Sequence, residues 1–158
     1  MAQSASLVAA RVSALLDPEV TGLTPQLALE PGPDSGAMIL EYTAHAAAAE
    51  VRSLAATAAS QTTSVQSGIE SHANFAGHSA RRTSDALSRM SVAVSAELVL
   101  AVRALRLGDR RPAVRSLYDA AAARLDPDMA DRPLSRDLEA ARRLLFEDAL
   151  WMESETGA

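Results

Sequence analysis

The sequence predicts an all-α protein: an elongated helical bundle with one long central helix. Three observations carry this reading. Between about His72 and Leu107, the apolar residues Leu87, Met90, Val94, Leu98, Ala101 and Leu105 recur at spacings of three or four, which aligns them on one helix face. The earlier run GAMILEYTAHAAAAEVRSLAATA is alanine-rich with few charges, as in a helix covered around most of its circumference. The loop before it, LDPEVTGLTPQLALEPGPDSG, holds four prolines and three glycines and no strand signal.

Taken in order, the first helix is expected to start from a cap at Ser4 or Ser6 and to run to Leu16. Its apolar stripe is Leu7, Val8, Val12, Leu15 and Leu16, and Asp17-Pro18 ends it. Asp34 or Ser35 is expected to cap the second helix. A polar stretch interrupts the pattern before the long helix, which Gly108-Asp109 stops. Two shorter helices follow, one from Pro112 to Leu125 and one from Leu134 or Ser135 to Met152. The inner stripe of the last is Leu138, Ala141, Leu145 and Ala149, and Trp151 anchors its end. Residues 1–158 are read as one domain. Residues 1–33 hold the first helix and its Pro/Gly loop, 34–107 the core helices with a polar turn at 60–72, and 108–158 the C-terminal helices.

Composition removes whole classes of chemistry. The chain has 158 residues, is 48% hydrophobic and only 3% aromatic, and much of its apolar content is alanine. Such a core depends on close helix approach rather than on bulky side chains. The 15 basic residues are all arginine, which excludes a lysine Schiff base and a P-loop. Without cysteine there is no disulfide, thiolate nucleophile or cysteine-ligated metal. The net charge of −5 argues against nucleic-acid or membrane-surface binding. No apolar run reaches the ~20 residues of a membrane span. The start, MAQSASLVAARV, lacks a signal-peptide pattern, so a cytoplasmic protein is expected.

The long helix has a further consequence. At 1.5 Å per residue it extends roughly 50 Å, whereas a globule of this size has a radius of gyration of only ~15 Å. A helix that long and apolar on several sides cannot be covered by the other helices present, and so is expected to pack against other chains.

The stretch QSGIESHANFAGHSARR opens that helix. With Ser35-Gly36, Met38-Ile39, Tyr42-Thr43-Ala44, Glu70, His72, Phe75-Ala76 and Ala80-Arg81-Arg82, in this order and spacing, the chain resembles the C-terminal part of the histidine and aromatic amino acid ammonia-lyase family. The resemblance runs from about Leu7 to Leu107, with a weaker helical tail. It implies that the bundle is part of an ammonia-lyase-like oligomeric core.

Family members use an electrophilic methylidene-imidazolone formed from an internal Ala-Ser-Gly, with a tyrosine that takes the β-proton. This sequence has no Ala-Ser-Gly; its two Ser-Gly pairs read Asp34-Ser35-Gly36 and Gln66-Ser67-Gly68. Tyr42 matches a helix position that packs, not the base. The resemblance therefore implies a small subunit that begins with its own methionine. A larger partner chain would supply the electrophile and the catalytic tyrosine in a tetramer-like hetero-oligomer.

By the same resemblance, Glu70 is the catalytic and substrate-binding carboxylate, and Ile69 and Gly68 line the pocket beside it. A carboxylate there accepts a hydrogen bond from an imidazole, phenol or amine, or orients the substrate ammonium. The bland alternative is a carboxylate that favours the positive end of the helix. Ile69, Gly68 and Ser71 stand where the family carries glutamine, asparagine and aspartate, so an aromatic or modified substrate fits about as well as histidine. His72 and Arg81 are expected to support Glu70 from behind, and Arg82 beside Arg81 at the opening turn to help fix it, although His72 also reads as a local helix-start residue. His72 and His78 are six apart on different helix faces, and no metal site is expected. His45, among alanines, reads as a satisfied core or interface histidine. The doublets Arg81-Arg82, Arg110-Arg111 and Arg142-Arg143 read as ion-paired.

The function so implied is ammonia elimination from an aromatic or histidine-like α-amino acid, by a subunit inactive alone. A 2,3-aminomutase subunit and a non-catalytic subunit bound to a complete lyase are the alternatives.

Overall fold

A computed structural model describes residues 1–56 and 75–148. Its helices are α1 (Ala2–Leu16), the single turn α2 (Pro18–Thr21), α3 (Met38–Leu54), α4 (Ala76–Gly108), α5 (Arg115–Ala122) and α6 (Ser135–Arg143). Among the described residues there is no strand beyond an isolated bridge between Pro31 and Asp34, and no helix is long and apolar enough to cross a membrane.

α1, α3 and α4 form the body of the bundle. Ala5, Ala9, Ala48 and Val51 cluster with Met90, and Val8, Ala47 and Ala93 form the next layer. Val12, Leu16, Leu40, Ala44, Ala96 and Leu100 belong to the largest cluster. Residue numbers therefore rise together along α1 and α4 and fall along α3, so α3 lies antiparallel to both. The buried residues of α4 include Ala86, Ala93, Ala96, Leu100 and Arg103, and small side chains let the neighbouring backbones approach closely. Leu27, Leu100 and Leu144 are almost completely buried, each stabilising by roughly 1.5–3 kcal/mol.

The expected α4 stripe is displaced. Leu87 is 56% exposed, and Met90, Val94, Leu98, Ala101 and Leu105 are only partly buried. The alanine face won the centre because α1 and α3 sit close, and the larger residues were left along the margins. Two further stripe positions are corrected for the same reason: Leu7 is 61% exposed and Leu15 only partly buried.

Several helix ends also differ from expectation. Neither Ser4 nor Ser6 caps α1: Met1 stands at its cap, and the Ser6 hydroxyl donates to the Ala2 carbonyl. Asp17 ends α1 and caps α2, its carboxylate accepting from Glu19 N at 2.8 Å. Asp34 accepts from Glu30 N, and Ala37 occupies the cap position of α3. α4 stops at Asp109, which adopts the left-handed conformation (φ 45°). α5 begins at Arg115, later than Pro112, and α6 passes at Leu144 into a π-helical segment, Leu144–Asp148. That segment buries Leu144, whereas the expected Leu145 is only partly buried. Ala149, Met152 and Trp151 lie outside the described residues.

The loop between α2 and α3 is pinned at its turn. Gln26 and Leu27 both have positive φ, 55° and 53°. Ala37 N donates to Gln26 O at 2.8 Å. Asp131 accepts from Ser35 N at 2.6 Å and from Gly36 N at 2.7 Å, tying the segment before α6 to the start of α3. Arg103, 5% exposed, donates from Nε to Leu27 O at 2.8 Å and from Nη2 to Met129 O at 2.5 Å. Burial pushes its pKa down, and the Arg132 charge adds to that.

Candidate functional site

α3 ends and α4 begins at one end of the antiparallel pair, and residues 57–74 connect them. Gly68, Ile69, Glu70 and His72 belong to this connection and lie outside the described residues. The described residues around it are the last turn of α3 and the first turns of α4.

Phe75 opens α4 in the left-handed conformation (φ 48°), and its carbonyl accepts from Ser79 N at 2.9 Å. His78 and Arg81 are exposed on these first turns. Arg81 pairs with no carboxylate among the described residues. The contact with α3 comes from its neighbour. Arg82 Nη2 donates to Ser53 O at 2.9 Å and to Leu54 O at 3.1 Å, and its Nε reaches Leu54 O at 3.2 Å. Arg82 thus bonds carbonyls, where ion pairs were expected: the last carbonyls of α3 have no N–H partner within the helix and accept from its guanidinium. Sequence reading set Arg82 near the opening turn but did not give its partner, the end of α3. The arginine doublet was visible, but which helix end it faces was not.

The other arginine doublets divide. Arg142 and Arg143 pair with Glu139, as expected. These two cations hold the Glu139 carboxyl down at about 2, well below its ordinary 4.5. Arg110 donates to Thr21 O at 2.9 Å, a carbonyl rather than the expected acid. Arg132 bonds the buried Asp137, which raises the Arg132 pKa.

Tyr42, read as packing, and His45, read as a core or interface histidine, are both exposed in this chain and outside its core. Tyr42 is 66% exposed on the outer side of α3, beside Ile39 at 58%. His45 is exposed too, but it has partners: its Nε2 lies 2.9 Å from Ser13 Oγ, and Ser13 donates to Glu41 Oε1 at 2.6 Å. Burial of α3 follows Leu40, Ala44, Ala47, Ala48 and Val51, and both residues fall off that face.

Of the two Ser-Gly pairs, Ser35-Gly36 follows Asp34, and both of its backbone N–H groups are engaged by Asp131. Gln66-Ser67-Gly68 lies outside the described residues and follows glutamine, not alanine. Among the described residues no group of three or more His, Cys, Asp or Glu is placed to hold a metal ion. Among the described residues, open clefts at the far end of the bundle include one of about 540 Å³ lined by Arg110, Arg111, Arg115 and Tyr118 and one of about 770 Å³ between Ala123 and Asp137.

A profile of the aromatic amino acid lyases matches residues 1–124. Histidine ammonia-lyase of Bradyrhizobium diazoefficiens is 34% identical over 144 residues, which cover 89% of this chain and 28% of that protein. The crystal structure of histidine ammonia-lyase from Trypanosoma cruzi superposes with a TM-score of 0.87 at 22% identity, covering 96% of this chain and 30% of that one. A tyrosine aminomutase structure superposes at 0.86 and 23% identity, covering 98% of this chain and 30% of its own. The chain thus spans less than a third of the length of the proteins it matches.

Proposed function

Because the chain belongs to the aromatic amino acid lyase family, we propose that it is the small subunit of a heteromeric amino acid ammonia-lyase. The complex would eliminate ammonia from an aromatic or histidine-like α-amino acid. The observation that carries this reading is a family match over residues 1–124 in a sequence without Ala-Ser-Gly. The methylidene-imidazolone and the catalytic tyrosine would come from a larger partner polypeptide. This chain would contribute Glu70 as the carboxylate that meets the substrate, Ile69 and Gly68 as pocket wall, and the α1–α3–α4 core. His72 and Arg81 would support Glu70. Apolar side chains exposed on three helices, Leu7, Ile39 and Leu87 among them, favour a chain that works inside an assembly.

The test is co-expression with a polypeptide of the same family that carries Ala-Ser-Gly. The expected result is a complex that turns over histidine or an aromatic amino acid to an ultraviolet-absorbing unsaturated acid, with neither chain active alone. Glu70→Ala should lower kcat/KM at least 100-fold, about 2.7 kcal/mol of lost transition-state stabilisation. A β-amino acid product would make the complex a 2,3-aminomutase. An assembled enzyme indifferent to Glu70→Ala would leave this chain a structural subunit. Turnover by the purified chain alone would refute the proposal.

A further inference from the structure

Where α4 gives way to α5, cationic side chains gather around the cleft of about 540 Å³. Its lining holds three guanidinium groups, Arg110, Arg111 and Arg115, against two carboxylates, Asp109 and Asp119, with the Tyr118 ring beside them. That reverses the sign of a chain whose net charge is −5. The donors there are largely uncommitted. Arg110 gives Nη2 to Thr21 O at 2.9 Å. Arg115 comes only to 3.7 Å from Asp119, longer than a hydrogen bond. Arg111 has no hydrogen-bond or ion-pair partner among the described residues. The negative end of α4 does not account for this group: Arg106 already stands in its last turn, and the Arg110 guanidinium goes to Thr21 instead. The start of α5 adds to the positive field. Val114 makes no side-chain cap bond, and no acidic residue stands in the first turn, so side chains leave that helix end uncompensated.

We propose that this cleft is a binding site for the phosphate group of a small hydroxylated phosphate monoester. Guanidinium forks match the paired oxygens of a phosphate, and each charged hydrogen bond so made is about twice as strong as a neutral one. Arg111 and Arg115 supply the free forks, Arg110 supplies the nitrogens that Thr21 leaves unused, and the Tyr118 hydroxyl is a further donor. The cleft is larger than a bare phosphate needs and falls within the range of small-molecule sites, which leaves room for the rest of an ester. Asp109 and Asp119 only accept hydrogen bonds when ionised, so they suit hydroxyl groups on that remainder and oppose a second anionic group. The site lies at the opposite end of α4 from the connection that carries Glu70, and it does not depend on the lyase reading.

The experiment is an NMR titration of the full chain at pH 7.5 with inorganic phosphate, with glucose 6-phosphate and with sodium chloride, all at one ionic strength. Both phosphates should give saturable shifts confined to the arginine Nε–H signals and to the amides from Asp109 to Asp119, and chloride should give none. Arg111→Ala/Arg115→Ala should weaken phosphate binding at least about tenfold. Arg111→Lys/Arg115→Lys should recover only part of that loss, since an ammonium lacks the fork. Arg136→Ala, which removes an exposed arginine of α6 outside this cleft, should bind as the parent does. Tighter binding of glucose 6-phosphate than of inorganic phosphate supports the ester. Equal binding of the two would overturn the ester and leave a site for the free ion. Equal shifts with chloride, phosphate shifts spread over the whole chain, or full binding by Arg111→Ala/Arg115→Ala would overturn the site itself. The parent spectrum away from the cleft reports whether each variant is folded, so a loss of binding with that spectrum intact belongs to the cleft.

Discussion

Gly36 is the position where a single methyl group should do most damage, and a second glycine supplies the control. Gly36 has φ +58°, and a Cβ there would lie 2.5 Å from Gln26 O, 2.8 Å from Ala28 N and 2.9 Å from Ala28 Cα. All three are backbone atoms in the pinned turn before α3, so none can swing aside. Gly22 has a similar φ of +68°, but its nearest neighbour would be the flexible Arg110 Nη2 at 3.9 Å. Gly22→Ala therefore isolates the left-handed backbone cost of about 1–2 kcal/mol. Gly36→Ala carries that cost plus an overlap worth roughly 1–3 kcal/mol, for a total of about 2–5 kcal/mol. At roughly 2–4 °C per kcal/mol for a chain of this size, Gly36→Ala should melt on the order of 5–15 °C below the parent and Gly22→Ala about 2–8 °C below it. The assay is thermal and urea unfolding of all three proteins at one concentration and in one state of assembly. Equal stabilities for the two variants would show that the turn accommodates a Cβ and that the close approach of Gly36 to Gln26 and Ala28 does not constrain it.

Arg103→Met keeps the volume but removes both donors to Leu27 O and Met129 O. Leaving the buried Leu27 carbonyl and the partly buried Met129 carbonyl without this donor outweighs the relief of burying no charge, and we expect a loss of about 2–3 kcal/mol, read from urea midpoints. Glu139 should show itself in acid. Its folded pKa lies below the unfolded one, so the stability it contributes is complete above about 4.5 and is lost as pH falls toward about 2. Carboxyl titration by NMR should give that low value, and the Arg142→Ala/Arg143→Ala double variant should return it toward 4.5 and flatten the acid limb of stability.

Among the described residues, the sequence by itself determined the approximate extent of the main helices, and it determined the family. These depend on local period, on turn-forming residues and on ordered motifs, all of which are read along the chain. Tertiary structure decided which face of α4 lies at the centre. Ala86, Ala93 and Ala96 prevailed over the Leu87 stripe because α1 and α3 approach closely enough that small residues fit best there. It also decided what the charged side chains do. Arg82 meets the end of α3, Asp131 holds the turn at Ser35 and Gly36, and Arg103 bonds two carbonyls in the interior. Such partners lie between 26 and 96 residues apart, and hydrophobic period carries no information about which polar groups the folded chain will bring within 3 Å.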